Sequence, residues 1–512
     1  MLTTDSSQRA VVIGAGLGGL AAAMRLGARG YEVTLADRLD RVGGRGSSIT
    51  RRGHRFDLGP TIVTMPSVFR DLWAACGRDF DSDVDLRAMD PFYEIRWLDG
   101  SVFRASGDPQ AMEAEVARLS PRDLPGFRRF LRGAEERYRV GFEGLGRKPM
   151  HRLRDTIRVL PQFARLRADR SILGHAKAHV KDPRLRMALS FHPLFIGGDP
   201  RHVTSMYALV SHLETTFGVH YAIGGVQAIA EAMAKIVREQ GGTVRLGAEV
   251  SKIDIHQGTA KGVTLKDGTR LVADTVVSNG DPAWTYKAGL ARHPRRRWTD
   301  RHLDSRRWSM SLFVWYFGTR ATRDLWPDVG HHTILNGPRY EGLLRDIFSR
   351  GRLAPDMSLY LHRPSVTDAT VAPPGDDTFY VLSPVPHLGW ANPVDWHREA
   401  AGYKARVTQV LQDTIPGFDR HIVAEEVFTP ETFRDRYLSP HGCGFSIEPR
   451  ILQSAWFRPH NISEEARGLY LVGAGTHPGA GLPGVISSAE VLDQLVPDAP
   501  IRTSLPQRHA AE

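Results

Sequence analysis

The chain sets short apolar runs against helical periodicities, and glycine punctuates both. Arg9 to Ile13 is an apolar run that stops at Gly14. The alanine-rich stretch after it continues to Arg29, where Gly30 can end a helix, and Tyr31 to Ala36 reads as a second strand delivering Asp37. Strand, glycine turn, helix and strand in this order are the parts of a parallel β-α-β unit. Near the other end the pattern recurs. Gly468 to Val472 reads as a strand at a sheet edge, and "GAGTHPGAGLPGVISSAEV" leads from it into a terminal helix.

Between these ends the chain should return to the first unit. "GGTVRLGAEV", Gly241 to Val250, reads as a strand. Ser251 to Leu271 alternates around "KDGT", a hairpin turn by its chemistry, and "VVSNGDP", Val276 to Pro282, closes back onto the sheet. The expected fold class is α/β. One discontinuous unit takes 1–89, 226–282 and 461–500. A mixed-sheet unit takes 90–225 and 283–460, with a helical cap within about 122–190, and 501–512 is a loose tail. A chain of 512 residues is long enough for two or more cores.

Charge adds one feature. The net charge is +10, and Arg122 to Arg186 holds 18 Lys plus Arg against 7 Asp plus Glu, an excess of 11 that covers the whole imbalance. Within that window Met150, Leu153, Ile157, Leu160, Phe163 and Leu166 fall near helical spacing among the arginines, with Pro161 placed to kink or divide the helix. This suits a helix lying on an anionic membrane surface, and it equally suits a core-facing helix. No recognition motif accompanies the basic window, so nucleic acid is not expected as a partner. The longest stretch free of charge, Gly468 to Ala489, is broken by glycines and by Pro478 and Pro483, which makes it a poor membrane span. No export signal is read at the N-terminus, and Cys76 and Cys443 stand in no metal or redox spacing. A cytoplasmic protein, peripheral on the inner face of the membrane, is the expectation. No histidine falls in ligand spacing with a partner acid, so no metal site is expected.

Gly14, Gly16 and Gly19 form G-x-G-x-x-G, with Gly18 inside it. Set between a strand and a helix, with Asp37 at the end of the next strand, the motif reads as a dinucleotide site. The glycines let backbone approach a pyrophosphate at the helix N-terminus, and the carboxylate reaches ribose hydroxyls. "RLDRVGGRG", Arg38 to Gly46, follows at once and adds Gly44 and Arg45 to the same phosphates. This second turn resembles the extended motif of flavoproteins in the amine-oxidase superfamily, which implies FAD.

"HRFDLGPTIV", "FHPLFIGGDP", "SLYLHRPSVTD", "SPVPHLG", "FTPETFRDRY", "QSAWFRPHN" and "GAGTHPGAGLPGV" together resemble the bacterial phytoene desaturases, most closely those of purple phototrophic bacteria, over nearly the whole chain. Asp37 stands where glutamate is commoner in that superfamily. The resemblance implies a Rossmann-like FAD domain in which Val250 reaches the adenine region and Thr61 lies near the flavin ring. Gly475, Thr476, Gly484 and Val485 would belong to a helix N-terminus aimed at the ring's pyrimidine edge. The two glycine turns would then hold opposite ends of one cofactor.

The implied reaction is stepwise dehydrogenation of 15-cis-phytoene through phytofluene and zeta-carotene to neurosporene in three steps, or lycopene in four. FAD accepts a hydride and a neighbouring carbon loses a proton. A quinone or oxygen would reoxidise the flavin, and a homo-oligomer is compatible with the sequence. Asp155 and Arg158, three apart, would share a helix face, and the family proposal of a catalytic acid and arginine transfers to them; a surface ion pair is the alternative. His477 is the other candidate base. The alternatives at the level of function are a hydroxy- or methoxy-carotenoid desaturase, an isomerase, a ketolase, an amine oxidase, or a non-catalytic prenyl-binding protein on the same scaffold.

Overall fold

The computed structural model describes residues 8–499; the tail expected to be loose lies outside them. The apolar run Arg9–Ile13 is the central strand of a five-stranded parallel sheet ordered Thr243–Arg245, Glu32–Ala36, Arg9–Ile13, Thr275–Ser278, Leu469–Leu471. A central parallel strand is covered on both faces, which is why its apolar residues run unbroken instead of alternating. Helices Leu17–Ala28, Gly225–Glu239 and Leu482–Asp493 share one core on this sheet. Ala21, Ala22 and Ala23 are fully buried in the first of them. Their small side chains let the terminal helix approach closely, so the two ends of the chain meet.

The stretch expected as a hairpin is a three-stranded antiparallel meander, Val250–His256, Thr259–Leu265 and Arg270–Val272, with "KDGT" in its second turn. A second, seven-stranded sheet is mixed: His332–Asn336 runs parallel to Tyr93–Trp97, and its other pairs are antiparallel. Strands Ser311–Thr319 and Asp377–Val385, second and third from one edge, pair along nine residues. Of the helices in the basic window, Leu124–Tyr138 and Ile172–His179 share the core of this sheet, whereas Leu153–Arg165 has no buried residue. Pro161 lies inside Leu153–Arg165 without dividing it. Among the described residues no helix is long and apolar enough to cross a membrane.

Candidate active site

A continuous cavity of about 820 Å³ is lined by residues of both sheets. Its polar end is built from the glycine turns. Gly14, at φ +94°, takes a backbone conformation that side chains resist, and it turns the chain off the strand. Gly16 heads the helix Leu17–Ala28 with no side-chain cap and no acid in the first turn, so the helix N-terminus is left for a ligand anion. The second turn lies directly along the first: Gly43 N–H donates to the Ala15 carbonyl at 2.8 Å, and Gly16 and Gly43 form a parallel bridge. Gly14, Gly16, Gly18, Gly44, Arg45, Asp37, Arg38 and Val250 all line this end. Gly19 does not. A Cβ there would sit 2.0 Å from the Gly14 carbonyl oxygen, so its bareness serves helix-to-strand packing.

The Asp37 carboxylate accepts N–H bonds from Ala15 at 2.6 Å and Leu39 at 2.7 Å, which ties it to the phosphate turn. Burial raises its pKa above the usual range, and those two donors act the other way. Arg38 donates to the carbonyls of Asp435 and Arg436, and Arg45 to the Ser439 hydroxyl. Arg436, which sequence reading did not single out, lines the same end. The Nε atoms of Arg38, Arg45 and Arg436 are all buried without a hydrogen-bond partner. Arg45 and Arg436 with unused donors, and Arg38 with its Nε only 3.5 Å from the Glu249 carboxylate, stand beside an uncapped helix and bare glycine backbone, which fits a dinucleotide pyrophosphate.

The two turns do not begin a cofactor's length apart. A Cβ on Gly18 would lie 3.1 Å from the Gly473 Cα, and Asn279 fills the corner between them, with its Nδ2 3.3 Å from the Gly14 carbonyl. From this contact the second turn runs on along the cavity. Gly473, Ala474 and the nine residues from His477 to Val485 line it, Gly484 and Val485 in the uncapped first turn of Leu482–Asp493. Gly475 and Thr476 do not line it. A Cβ on Gly475 would meet Pro282 at 2.2 Å, and Thr476 is fully buried with its hydroxyl unpartnered, so both pack behind the turn.

His477 is buried, and its Nε2 lies 3.1 Å and 3.0 Å from the carbonyls of Leu145 and Lys148. Two acceptors require Nε2 to carry the proton. Burial lowers its pKa to about 4, so the ring is a neutral anchor tying the turn to the basic cap.

The expectation for Asp155 and Arg158 needs correction. They do share a face, 3.6 Å apart, but their side chains are 27 % and 74 % exposed and neither lines the cavity. Leu153, Thr156, Ile157, Val159, Leu160 and Phe163 do. Three-residue spacing fixes a shared face without saying which face points inward, and here the apolar one does.

Thr61 hydrogen-bonds Tyr360 at 2.6 Å, and Tyr360 bonds His332 Nδ1 at 2.6 Å. Behind them His331, His332 and His362 gather, buried, with ring nitrogens within 4.8 Å of one another. Sequence spacing gave no sign of this group, because it is assembled across neighbouring strands. His331 and His362 bond each other, Nε2 to Nε2, at 2.9 Å. Further along the cavity wall His192 and Glu214 meet, also unanticipated.

The arrangement defines a flavoprotein. The family model for flavin containing amine oxidoreductases matches residues 17–490, and the chain belongs to that family, whose cofactor is FAD. Within it the chain falls among the phytoene desaturases. It is 66 % identical over 496 residues to the phytoene desaturase (neurosporene-forming) of Cereibacter sphaeroides, covering 97 % of this chain and 96 % of that one. The phytoene desaturase (lycopene-forming) of a Paracoccus species is 43 % identical over 96 % of this chain and 98 % of its own. An oxidoreductase of solved structure from Methanosarcina mazei shares the fold, with a TM-score of 0.64 at 19 % identity, over 95 % of this chain and 100 % of that one.

Proposed function

We propose that the chain is an FAD-dependent oxidoreductase acting on CH–CH groups, a phytoene desaturase that takes 15-cis-phytoene through phytofluene and zeta-carotene to neurosporene. The observation that carries this reading is the continuity of the cavity. One space joins the nucleotide cradle to walls of Leu153, Ile157, Leu160, Leu194, Phe195 and Leu312, where a hydrocarbon without polar groups finds its solvent. The three-step product rests on the greater likeness to the neurosporene-forming relative than to the lycopene-forming one.

The residues take these roles. Gly14, Gly16, Gly18, Gly44 and Arg45 hold the pyrophosphate, Asp37 the ribose, and Val250 the adenine edge. Thr61, held by its hydrogen bond to Tyr360, would lie near the flavin ring. The uncapped amides around Gly484 and Val485 favour negative charge on it. Bound there, FAD supplies the two-electron oxidant. The chain orients the polyene against it and keeps water out. A quinone or oxygen accepts the electrons in turn. The test is conversion of phytoene by the FAD-loaded protein in anionic liposomes. Neurosporene as the end product is expected, lycopene as the main product would overturn the step number, and unchanged phytoene would overturn the substrate.

Substrate of this kind is delivered from a bilayer, and the cavity mouth suits that. Leu153, Ile157 and Leu160 are 45 %, 54 % and 52 % exposed, with Ile451 and Leu452 exposed at the same rim. Arg152, Arg154, Arg158 and Arg165 flank them. Apolar residues framed by arginines are what a peripheral protein presents to an anionic, inner-leaflet surface. Replacing Leu153, Ile157 and Leu160 together by Asp should abolish flotation with anionic liposomes while FAD stays bound. Undiminished flotation would remove the helix from the contact.

A further inference from the structure

A reaction that forms a C=C bond by removing hydride and proton from adjacent carbons needs a proton acceptor, and sequence reading offered Asp155, Arg158 and His477. Asp155 and Arg158 lie outside the cavity. His477 gives its Nε2 proton to two carbonyls and leaves Nδ1 buried without a partner, but burial lowers its pKa to about 4, which makes it a weak base. Of the acids at the nucleotide end, Asp37 is engaged by two backbone donors and Glu249 by Lys266 at 2.9 Å; Asp281 accepts the Ala283 N–H through Oδ1 while its Oδ2 is buried without a partner, which makes it the rival acceptor that the test must exclude. Tyr360 and Tyr380 are pushed up by burial, which leaves their hydroxyls protonated.

One pair in the cavity wall is placed differently. His192 Nε2 lies 3.1 Å from Glu214 Oε2, and the Tyr93 hydroxyl sits over both, 3.0 Å from the carboxylate and 3.2 Å from the imidazole. His192 is 5 % and Glu214 7 % exposed, and both line the cavity. Their surroundings are apolar: Phe191 stacks on His192 at 4.3 Å, Phe195 packs on Phe191, and Leu194 and Leu213 complete the wall. Among the described residues no Lys or Arg lies within salt-bridge distance of Glu214. Chain continuity brings the pair toward the ring site. Glu214 is on the helix Leu209–Phe217, which packs on Val63–Thr64, immediately after Thr61.

We propose that His192 and Glu214 form the proton acceptor for the dehydrogenation, a role that rests on the reading of the chain as a carotenoid desaturase. In each turn a hydride leaves one substrate carbon for the oxidised flavin. The C–H pair of the neighbouring carbon becomes the second bond of the new C=C, and its proton goes to the pair. Carboxylate with neutral imidazole then becomes carboxylate with imidazolium, so the pair passes from net charge −1 to zero in an apolar wall. Tyr93, donating to the carboxylate, is a positioning residue.

The test uses the FAD-loaded protein with phytoene in liposomes, under anaerobic conditions, and compares wild type with Glu214→Gln, His192→Gln and Asp281→Asn. Wild-type flavin bleaching should rise with pH through one ionisation. Glu214→Gln and His192→Gln should retain FAD and the wild-type unfolding midpoint, bleach ~10²–10⁴-fold more slowly, and lose that ionisation. Glu214→Asp, which keeps the carboxylate, should recover part of the rate. An infrared difference between wild type and Glu214→Gln, taken without substrate, should show carboxylate bands that respond to His192→Gln. A Glu214→Gln protein that keeps its flavin and bleaches within about threefold of wild type, with the same pH profile, overturns the proposal. So does a large loss confined to Asp281→Asn. A wild type that phytoene never bleaches overturns the functional reading instead, and the two failures are therefore separable.

Discussion

Gly18→Val should yield a protein that purifies without its yellow colour. The added Cβ would meet Asn279 Oδ1 at 2.6 Å and the backbone Cα and N of Gly473 at 3.1 and 3.2 Å. Backbone cannot move aside as a flexible side chain does, so the first turn of the helix Leu17–Ala28 must separate from the glycine turn at Gly473. Overpacking of this kind costs about 1–3 kcal/mol, which, if it falls on the bound state, corresponds to roughly a 5- to 150-fold loss of FAD affinity. Gly402→Ala is the control: it lies in helix Trp396–Gln412 with open space around its Cβ position, and should bind FAD as wild type does. Equal flavin content in both variants would show that the meeting of the two turns does not set the cofactor site.

Acid should destabilise the fold well above the pH at which carboxylates are neutralised. Burial lowers His175 and His331 to about 3 and His477 to about 4, and drives His332 and His362 well below the ordinary value. In the unfolded chain these rings take up protons near pH 6.5. The unfolded state therefore binds more protons below that pH, and stability present above it is lost as the pH falls toward the folded values. Between pH 6.5 and 5 each ring costs up to about 2 kcal/mol. Asp57, raised by burial to about 7, acts in the opposite sense: its folded form holds a proton that the unfolded form releases, so its contribution is lost as the pH rises. Asp37, Asp281 and Glu448 are raised in the same sense, but the lowered histidines, His387 at about 4 among them, outnumber the raised acids. Urea unfolding midpoints should stay level between pH 7 and 8 and drop steeply from 6.5 to 5. A level midpoint down to pH 5 would mean that these histidines are hydrated or paired in the fold.

The parts of the site that could be read from the sequence are local ones. A glycine turn between a strand and a helix, and an acid at the next strand's end, fall within thirty residues and leave a pattern. The parts missed are assembled from distant segments. Asn279 reaches Gly14 across 265 residues, and Arg436 joins Arg38 and Arg45 from the far side of the chain. His331 and His362 meet because two strands pair, and His192 meets Glu214 because a helix folds back over a short turn. Asp155 and Arg158 show the limit from the other side. Their spacing was read correctly, but orientation toward the cavity is set by the helix Leu153–Arg165 packing beside Ala455–Phe457, which no local pattern encodes.

The central claim is that one cavity brings a flavin and a hydrocarbon chain together. Its most direct measurement is anaerobic mixing of the FAD-loaded protein with phytoene in anionic liposomes, following the flavin's visible absorbance and the extracted pigments in the same sample. Stoichiometric bleaching with the first, more unsaturated product is expected, and continued conversion to neurosporene once a quinone is added. Flavin that stays oxidised beside unchanged phytoene, in protein that holds its FAD, would contradict it.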